Sequence, residues 1–254
     1  MAYFNYKSHK IYYQEIGSGT PLLMLHGNTA SSVMFSEIAP RYAQDYKVIL
    51  IDFLGCGKSD RVQQWEEDLW YDEAMQVICF LEEKGYQNVN IIGTSGGALA
   101  ALNIALERPD LVNKLIADSF EGEQASPVVT ETLRLGREAS KHDSGAKMFY
   151  EMMNGTDWES VVDADTQAVI SHANNIVEFF HQPLSRLNPD VLFTGSREDV
   201  LFPKGFYDEV FAEMLHKIGH GQQYLFEHGG HPAILSNQDE FVTISKAFLE
   251  SKAD

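Results

Sequence analysis

Residues 89–102, VNIIGTSGGALAAL, contain the most informative local pattern in the chain. The stretch begins with an apolar run typical of a buried strand, sets Ser95 among glycines, and continues into small apolar residues typical of a buried helix. A chain that turns this sharply from strand to helix needs small residues two positions to either side of the bend. Gly93 and Gly97 meet that need. Because such a bend lifts its central side chain clear of the sheet, we predict that Ser95 is a nucleophile.

Apolar runs and amphipathic stretches alternate on both sides of this segment. Seven runs predict strands, at residues 10–16, 21–27, 47–53, 89–93, 114–118, 190–195 and 222–227. Helical patterns occupy residues 68–84, 97–107, 203–217 and 238–252. Several strands have no polar alternate positions, which is how a sheet covered on both faces is built. The pattern predicts an α/β fold with a mostly parallel sheet flanked by helices.

The alternation fails between about residues 120 and 189. That interval has helical patches at residues 130–140 and 166–180 but no convincing strand. We therefore expect residues 1–254 to form a single domain that carries a helical insertion at about residues 120–189.

Composition excludes several classes of partner. The chain has 254 residues, 44% of them hydrophobic, and a formal net charge of −18. Such a charge repels nucleic-acid phosphates and anionic membranes, so neither is an expected partner. The two cysteines, Cys56 and Cys79, lack metal-type spacing, and no run of 18 apolar residues or signal peptide is present. We expect a soluble cytoplasmic protein without metal or cofactor.

A serine nucleophile needs a histidine base and a carboxylate that orients it. His231 follows the last predicted strand and precedes the last helix, so we predict that it is the base; His228 is interpreted as a loop histidine. Asp199 lies four residues beyond the end of the 190–195 strand and is the predicted acid. Its alternatives are the neighbouring Glu198 and a second position after residues 114–118, where Asp118 and Glu121 lie.

An oxyanion hole is expected beside Ser95. The segment His26-Gly27-Asn28 ends an early strand, and Gly27 lets the backbone turn so that the Asn28 amide faces the Gly96 amide. Two backbone N–H groups would then bind the developing oxyanion. We interpret His26 as a brace for this loop.

The segments LHGNTASS, DFLGCGKSD, GTSGG, TGSRED and GGH resemble the α/β-hydrolase superfamily in order and spacing over nearly the whole chain. The resemblance implies an eight-stranded sheet, a Ser95, Asp199 and His231 triad, and a cap inserted after the sixth strand. It also implies a bracing role for Asp52. Single-domain carboxylesterases, including the valacyclovir hydrolase-like group, are the most similar members. That group has an acidic residue directly after its nucleophile, where this chain has Gly96.

These features predict a serine hydrolase that cleaves a small carboxylic ester through an acyl-enzyme. Two alternatives are a carbon–carbon bond hydrolase of the same fold and a ligand-binding sensor that retains the triad. Candidate substrate contacts in the insertion are Met148, Phe149, Met152 and Trp158. The alternative for these four is packing of the cap, because methionine and aromatic clusters at helical spacing usually fill a core.

Overall fold

A computed structural model describes residues 2–251. Its centre is an eight-stranded sheet with the order β1-β2-β4-β3-β5-β6-β7-β8. The first two pairings, β1 with β2 and β2 with β4, are antiparallel, and the others are parallel. The strands are β1 (Ala2–Tyr6), β2 (His9–Gly17), β3 (Thr20–Leu25), β4 (Tyr46–Ile51), β5 (Val89–Thr94), β6 (Val112–Asp118), β7 (Asp190–Ser196) and β8 (Gln222–Phe226). The predicted mostly parallel sheet of eight strands is confirmed.

Helices cover both faces of the sheet. They are α1 (Ala39–Tyr42), α2 (Leu69–Lys84), α3 (Gly96–Glu107), α4 (Pro127–Ser140), α5 (Ser144–Asn154), α6 (Trp158–Asn175), α7 (Phe206–Ile218), α8 (Ala233–Ser236) and α9 (Gln238–Glu250). The last helix was predicted to reach residue 252, which lies outside the described residues. Within residues 2–251, no helix is long and apolar enough to cross a membrane.

Strand β3 shows why the central strands are apolar throughout. Leu23 and Leu25 face the core formed with α2, α3 and α7, whereas Leu22 and Met24 face the core formed with α1 and α9. All four side chains are fully buried. Because successive residues of a strand point to opposite faces, a strand covered on both sides has no position left for a polar side chain.

The parallel strands bring distant loops to one edge of the sheet. The loops after β3, β5, β7 and β8 carry Asn28, Ser95, Asp199 and His231 respectively. Since the carboxyl ends of parallel strands lie at the same edge, these four residues come together although 203 positions separate the first from the last.

Three helices, α4 to α6, lie between β6 and β7, in the interval where the insertion was expected. They form a small core of their own, in which the Trp158 ring stacks on Tyr150 beside the buried Val162. Arg61 in the loop after β4 donates to the Asn154 carbonyl and pairs with Asp157, so the end of α5 is tied to the main body.

Candidate active site

Ser95 lies at a strained bend between β5 and α3. Its φ of 54° and ψ of −124° are rare for a residue with a side chain. A Cβ on Gly93 would collide with the Gly97 carbonyl, and a Cβ on Gly97 would collide with the carbonyl of Leu25 in β3. Only glycine fits at either position, because the obstacles are main-chain atoms that cannot move aside. The bend predicted from residues 93–97 is therefore present in the structure.

Two hydrogen bonds join the three predicted triad residues. Ser95 Oγ lies 3.0 Å from His231 Nε2, and His231 Nδ1 lies 2.7 Å from Asp199 Oδ2. Since the carboxylate can only accept, Nδ1 carries the proton and Nε2 is free to accept the serine proton. The arrangement suits proton removal from Ser95.

The environment of Asp199 favours its charged form. Burial by itself would raise the pKa of this carboxyl, but hydrogen bonds and the charge of His231 outweigh burial and hold the pKa below its usual value. The donors are His231, the Leu201 amide at 3.0 Å and the Tyr207 hydroxyl at 2.7 Å. Tyr207 was not predicted from the sequence. Burial and the neighbouring Asp199 raise the pKa of Tyr207, so its hydroxyl remains a donor.

The alternative acids occupy different places. Glu198 lies at the surface, where its carboxylate contacts His228 at 3.2 Å. Asp118 is fully buried and accepts hydrogen bonds from Thr94 and Thr194, each at 2.8 Å, and from the Ile234 amide at 3.1 Å. Burial outweighs these bonds and raises the pKa of Asp118 to about 6. Neither group bonds to His231 among the described residues.

The two expected oxyanion donors lie beside Ser95. A Cβ on Gly27 would lie 3.0 Å from the Ser95 Cβ, so the turn after β3 closely approaches Ser95. The N–H groups of Asn28 and Gly96 have no acceptor among residues 2–251. Both residues line the same small chamber as Ser95 and His231. Two unpaired amides at this place suit an oxyanion.

Two polar side chains brace the neighbouring loops as expected. His26 accepts from the Phe53 amide at 3.0 Å and donates to the Gly27 carbonyl at 2.8 Å. Burial lowers the pKa of His26, which keeps the ring neutral. Asp52 accepts from the amides of Ser32 at 2.7 Å and Lys58 at 2.8 Å.

A buried carboxylate from the cap holds residues 26–29 after β3, named the oxyanion loop for the donor expected there, and the sequence did not reveal this contact. Asp165 in α6 accepts from the Asn28 side chain at 2.9 Å and from the Thr29 amide at 3.1 Å. Its other oxygen pairs with Arg137 of α4 at 2.5 Å. Trp70 donates to Asn28 Oδ1 at 3.1 Å. Asp165 is one acid among several in an amphipathic helix, so no local pattern distinguishes it.

Two adjacent spaces share Ser95 in their lining. The outer cleft, about 380 Å³, lies under the cap and is lined among others by Met34, Arg137, Phe149, Tyr150 and Leu235. The inner chamber, about 50 Å³, is lined among others by Leu99, Phe120, Glu121, Val169 and Phe202. Ser95 and His231 line both. A substrate bound across Ser95 can therefore place one part in each space.

Of the four predicted substrate contacts in the cap, only Phe149 lines the outer cleft. Met148 and Met152 are 69% and 59% exposed, on the outer side of α5. Trp158 is buried in the core of the cap itself. The structure brings none of these three residues to the cleft, and Trp158 packs in the cap as the alternative interpretation had it. Helical spacing fixes which residues share a face but not which face meets the cavity. Within the described chain, no three His, Cys, Asp or Glu side chains converge as a metal site.

Comparison with known proteins agrees with this geometry. Residues 20–151, more than half of the chain, match the sequence model of the α/β hydrolase fold family. The chain therefore belongs to the α/β-hydrolase family.

Three similar proteins have different activities. Over 95% of its length the chain is 24% identical to 2-hydroxy-6-oxo-6-(2'-aminophenyl)hexa-2,4-dienoic acid hydrolase of Metapseudomonas resinovorans, of which 88% is covered. A proline iminopeptidase of Clostridium botulinum is 32% identical over 46% of this chain and 42% of its own. The esterase EaEST from Exiguobacterium antarcticum superposes with a TM-score of 0.78 at 22% identity, covering 96% of this chain and 97% of that one. The family and these relatives support a hydrolase.

Proposed function

We propose that this protein is a serine hydrolase that cleaves a small carboxylic ester through an acyl-enzyme. The observation that carries the proposal is the pair of hydrogen bonds, 3.0 Å and 2.7 Å, that connects Ser95 to Asp199 through His231. Around it lie two unpaired amide donors and two spaces that Ser95 and His231 both line. Together these are the parts that acyl transfer requires.

The reaction proceeds in two steps. Ser95 Oγ attacks the ester carbonyl while His231 Nε2 takes the serine proton, and the amides of Asn28 and Gly96 bind the oxyanion. His231 then gives the proton to the departing alkoxide, leaving an acyl-enzyme and a free alcohol. Water attacks the acyl-enzyme with His231 again as base, and the carboxylic acid leaves. Asp199 stays ionised throughout and stabilises the imidazolium.

Replacement of the nucleophile tests the proposal. We expect Ser95→Ala to lower kcat for a p-nitrophenyl ester by about 10⁴-fold or more and to abolish labelling by a fluorophosphonate. The exposed Ser36→Ala is the matched control and should retain both activities. Multiple turnovers by the unaltered protein would separate an enzyme from a sensor. Substantial esterase activity in a folded Ser95→Ala protein would overturn the assignment.

Carbon–carbon bond hydrolysis is the second candidate. The Metapseudomonas relative, by its name, acts on a dienoic acid. Arg137 lines the outer cleft of this chain, and its Nε and Nη2 have no acceptor among the described residues. A guanidinium in that position suits a carboxylate-bearing substrate. A higher kcat/KM for a vinylogous diketo acid than for simple esters would favour this candidate.

A further inference from the structure

The inner chamber has the size of a short acyl group. The acyl group stays on Ser95 through both steps, whereas the alcohol must leave after the first. The wider outer cleft suits the departure of the alcohol, and the inner chamber suits the acyl group. Its volume of about 50 Å³ is that of roughly four water molecules at ~10–15 Å³ each.

One charged side chain interrupts the apolar wall of this chamber. Glu121 follows β6 and lines the chamber with apolar residues that include Leu99, Val129 and Phe202. Its Oε1 accepts from the Ser126 amide at 2.5 Å, and its Oε2 has no hydrogen-bond partner among residues 2–251. In the same part of the chain no Lys, Arg or His forms an ion pair with it.

The free oxygen of Glu121 is accessible from the chamber, so a bound group can reach it. Burial of the rest of the side chain raises the pKa of Glu121 to about 7, against the smaller opposite effect of the Ser126 amide. A cation beside Oε2 would favour the charged form of the carboxyl and form a charge-assisted hydrogen bond. An anionic acyl group would be repelled by the same oxygen.

We propose that Glu121 selects substrates whose acyl group carries a protonated amine close to the scissile carbonyl. This inference rests on the proposed ester hydrolysis and names its acyl specificity. The sequence places Gly96 directly after the nucleophile, so the carboxylate that recognises the amine comes instead from the loop after a neighbouring strand. A Cβ at position 96 would collide with the Asn28 side chain, which leaves no room for an acidic side chain there.

A pair of nearly isosteric esters tests the proposal. Ethyl alaninate and ethyl isobutyrate differ in an ammonium against a methyl group. We expect kcat/KM for ethyl alaninate divided by kcat/KM for ethyl isobutyrate, measured at pH 7, to fall about tenfold or more in Glu121→Gln. The amide oxygen of glutamine can still accept from Ser126, so the loop is retained. Glu123→Gln is the matched control, because Glu123 pairs with Lys217 outside the chamber, and it should leave the ratio unchanged.

A binding measurement separates this proposal from the ester assignment. Propylammonium should raise the Tm of the unaltered protein and not that of Glu121→Gln. Propanol should change the Tm of the two proteins by the same amount. An unchanged kcat/KM ratio in Glu121→Gln, or equal Tm shifts in the two proteins, would overturn the role of Glu121. If no ester is cleaved but the Tm shifts differ, the ester assignment fails and the amine site stands.

Discussion

Two buried aspartates near His231 differ in pKa because their surroundings differ. Asp199 receives three hydrogen bonds, including one from His231, and its pKa lies below the usual value. Asp118 also receives three, but none comes from His231, and burial, which penalises the charged form, raises its pKa to about 6. Of the two, only Asp199 bonds to the imidazole, so it is the aspartate placed to stabilise a positive charge on that ring.

The raised pKa of Asp118 makes a prediction about stability. In the folded protein the Asp118 carboxyl stays protonated up to about pH 6, whereas in the unfolded chain it loses its proton near pH 3.8. Between these values the folded state binds more protons, so the stabilising contribution of Asp118 falls as pH rises. We compare the free energy of unfolding of Asp118→Asn with that of the unaltered protein. The variant value minus the unaltered value should increase by about 1 kcal/mol or more from pH 4.5 to pH 7.5. Urea unfolding at both pH values measures it.

Asp110→Asn serves as the control for this experiment. The Arg108 guanidinium beside Asp110 holds the pKa of that carboxyl below its usual value, so its contribution to stability is present above the unfolded pKa and is lost only at lower pH. Its replacement should give nearly the same stability difference at pH 4.5 and pH 7.5. A constant difference for Asp118→Asn as well would contradict the expected titration of Asp118.

Among the larger elements, the cap holds the loop that carries Asn28, one of the two proposed oxyanion donors. Helix α6 supplies Asp165, which holds Asn28 and Thr29 of the oxyanion loop, and α4 supplies Arg137, which neutralises Asp165. Asp165 is 1% exposed and Arg137 8% exposed, so this ion pair is shielded from water. The orientation of the oxyanion loop therefore depends on two helices that are distant from it in sequence.

Arg137→Met should leave Asp165 as an uncompensated buried charge. We expect a loss of about 3 kcal/mol in the free energy of unfolding, at the lower end for broken buried pairs because Asp165 keeps two other hydrogen bonds. Adding Asp165→Asn should recover part of that loss, since it removes the charge. Urea unfolding of the single and double variants measures the difference.

Arg134→Met is a control on the same helix, because Arg134 pairs with Glu131 at the exposed surface. This replacement should change the free energy of unfolding little. A double variant no more stable than Arg137→Met alone would show that the buried charge is not the source of the loss.

At the scale of the whole molecule, the net charge of −18 acts on substrates before they bind. The summed field of the protein attracts cations and repels anions, and salt screens it over about 10 Å at 0.1 M. This effect does not depend on any single site residue.

The dependence of kcat/KM on salt concentration should therefore differ between cationic, anionic and neutral substrates. From 20 to 300 mM NaCl we expect kcat/KM to fall about two- to fivefold for a cationic ester, to rise for an anionic ester, and to change little for a neutral one. Steady-state assays with three esters of one acyl length measure it. The trend should persist in Glu121→Gln, because it arises from the total charge. Identical salt dependence for all three esters would contradict the expectation.

The sequence alone was sufficient for the fold and for the residues of the predicted triad, but it missed one strand. Gly93 and Gly97 are required by main-chain contacts, and the central strands are apolar because both faces are buried. Strand β1 (Ala2–Tyr6) was not predicted, because only Phe4 and Tyr6 of its five residues are buried and the segment has no continuous apolar run. Positions where the backbone is constrained show a clear pattern in the local sequence. A short edge strand with few buried residues shows only a weak one.

Local patterns in the chain were enough to predict the bend at Ser95, most of the strands and helices, and the loops that carry Asp199 and His231. Three features emerged only when the chain was packed: which cap residues face the cavity, that Asp165 holds the oxyanion loop, and that Glu121 lines the inner chamber. The difference comes from the range of the interactions. A strained turn restricts its own residues, whereas an ion pair or a cavity wall depends on how distant elements pack, and neither partner needs a distinctive neighbour in the chain.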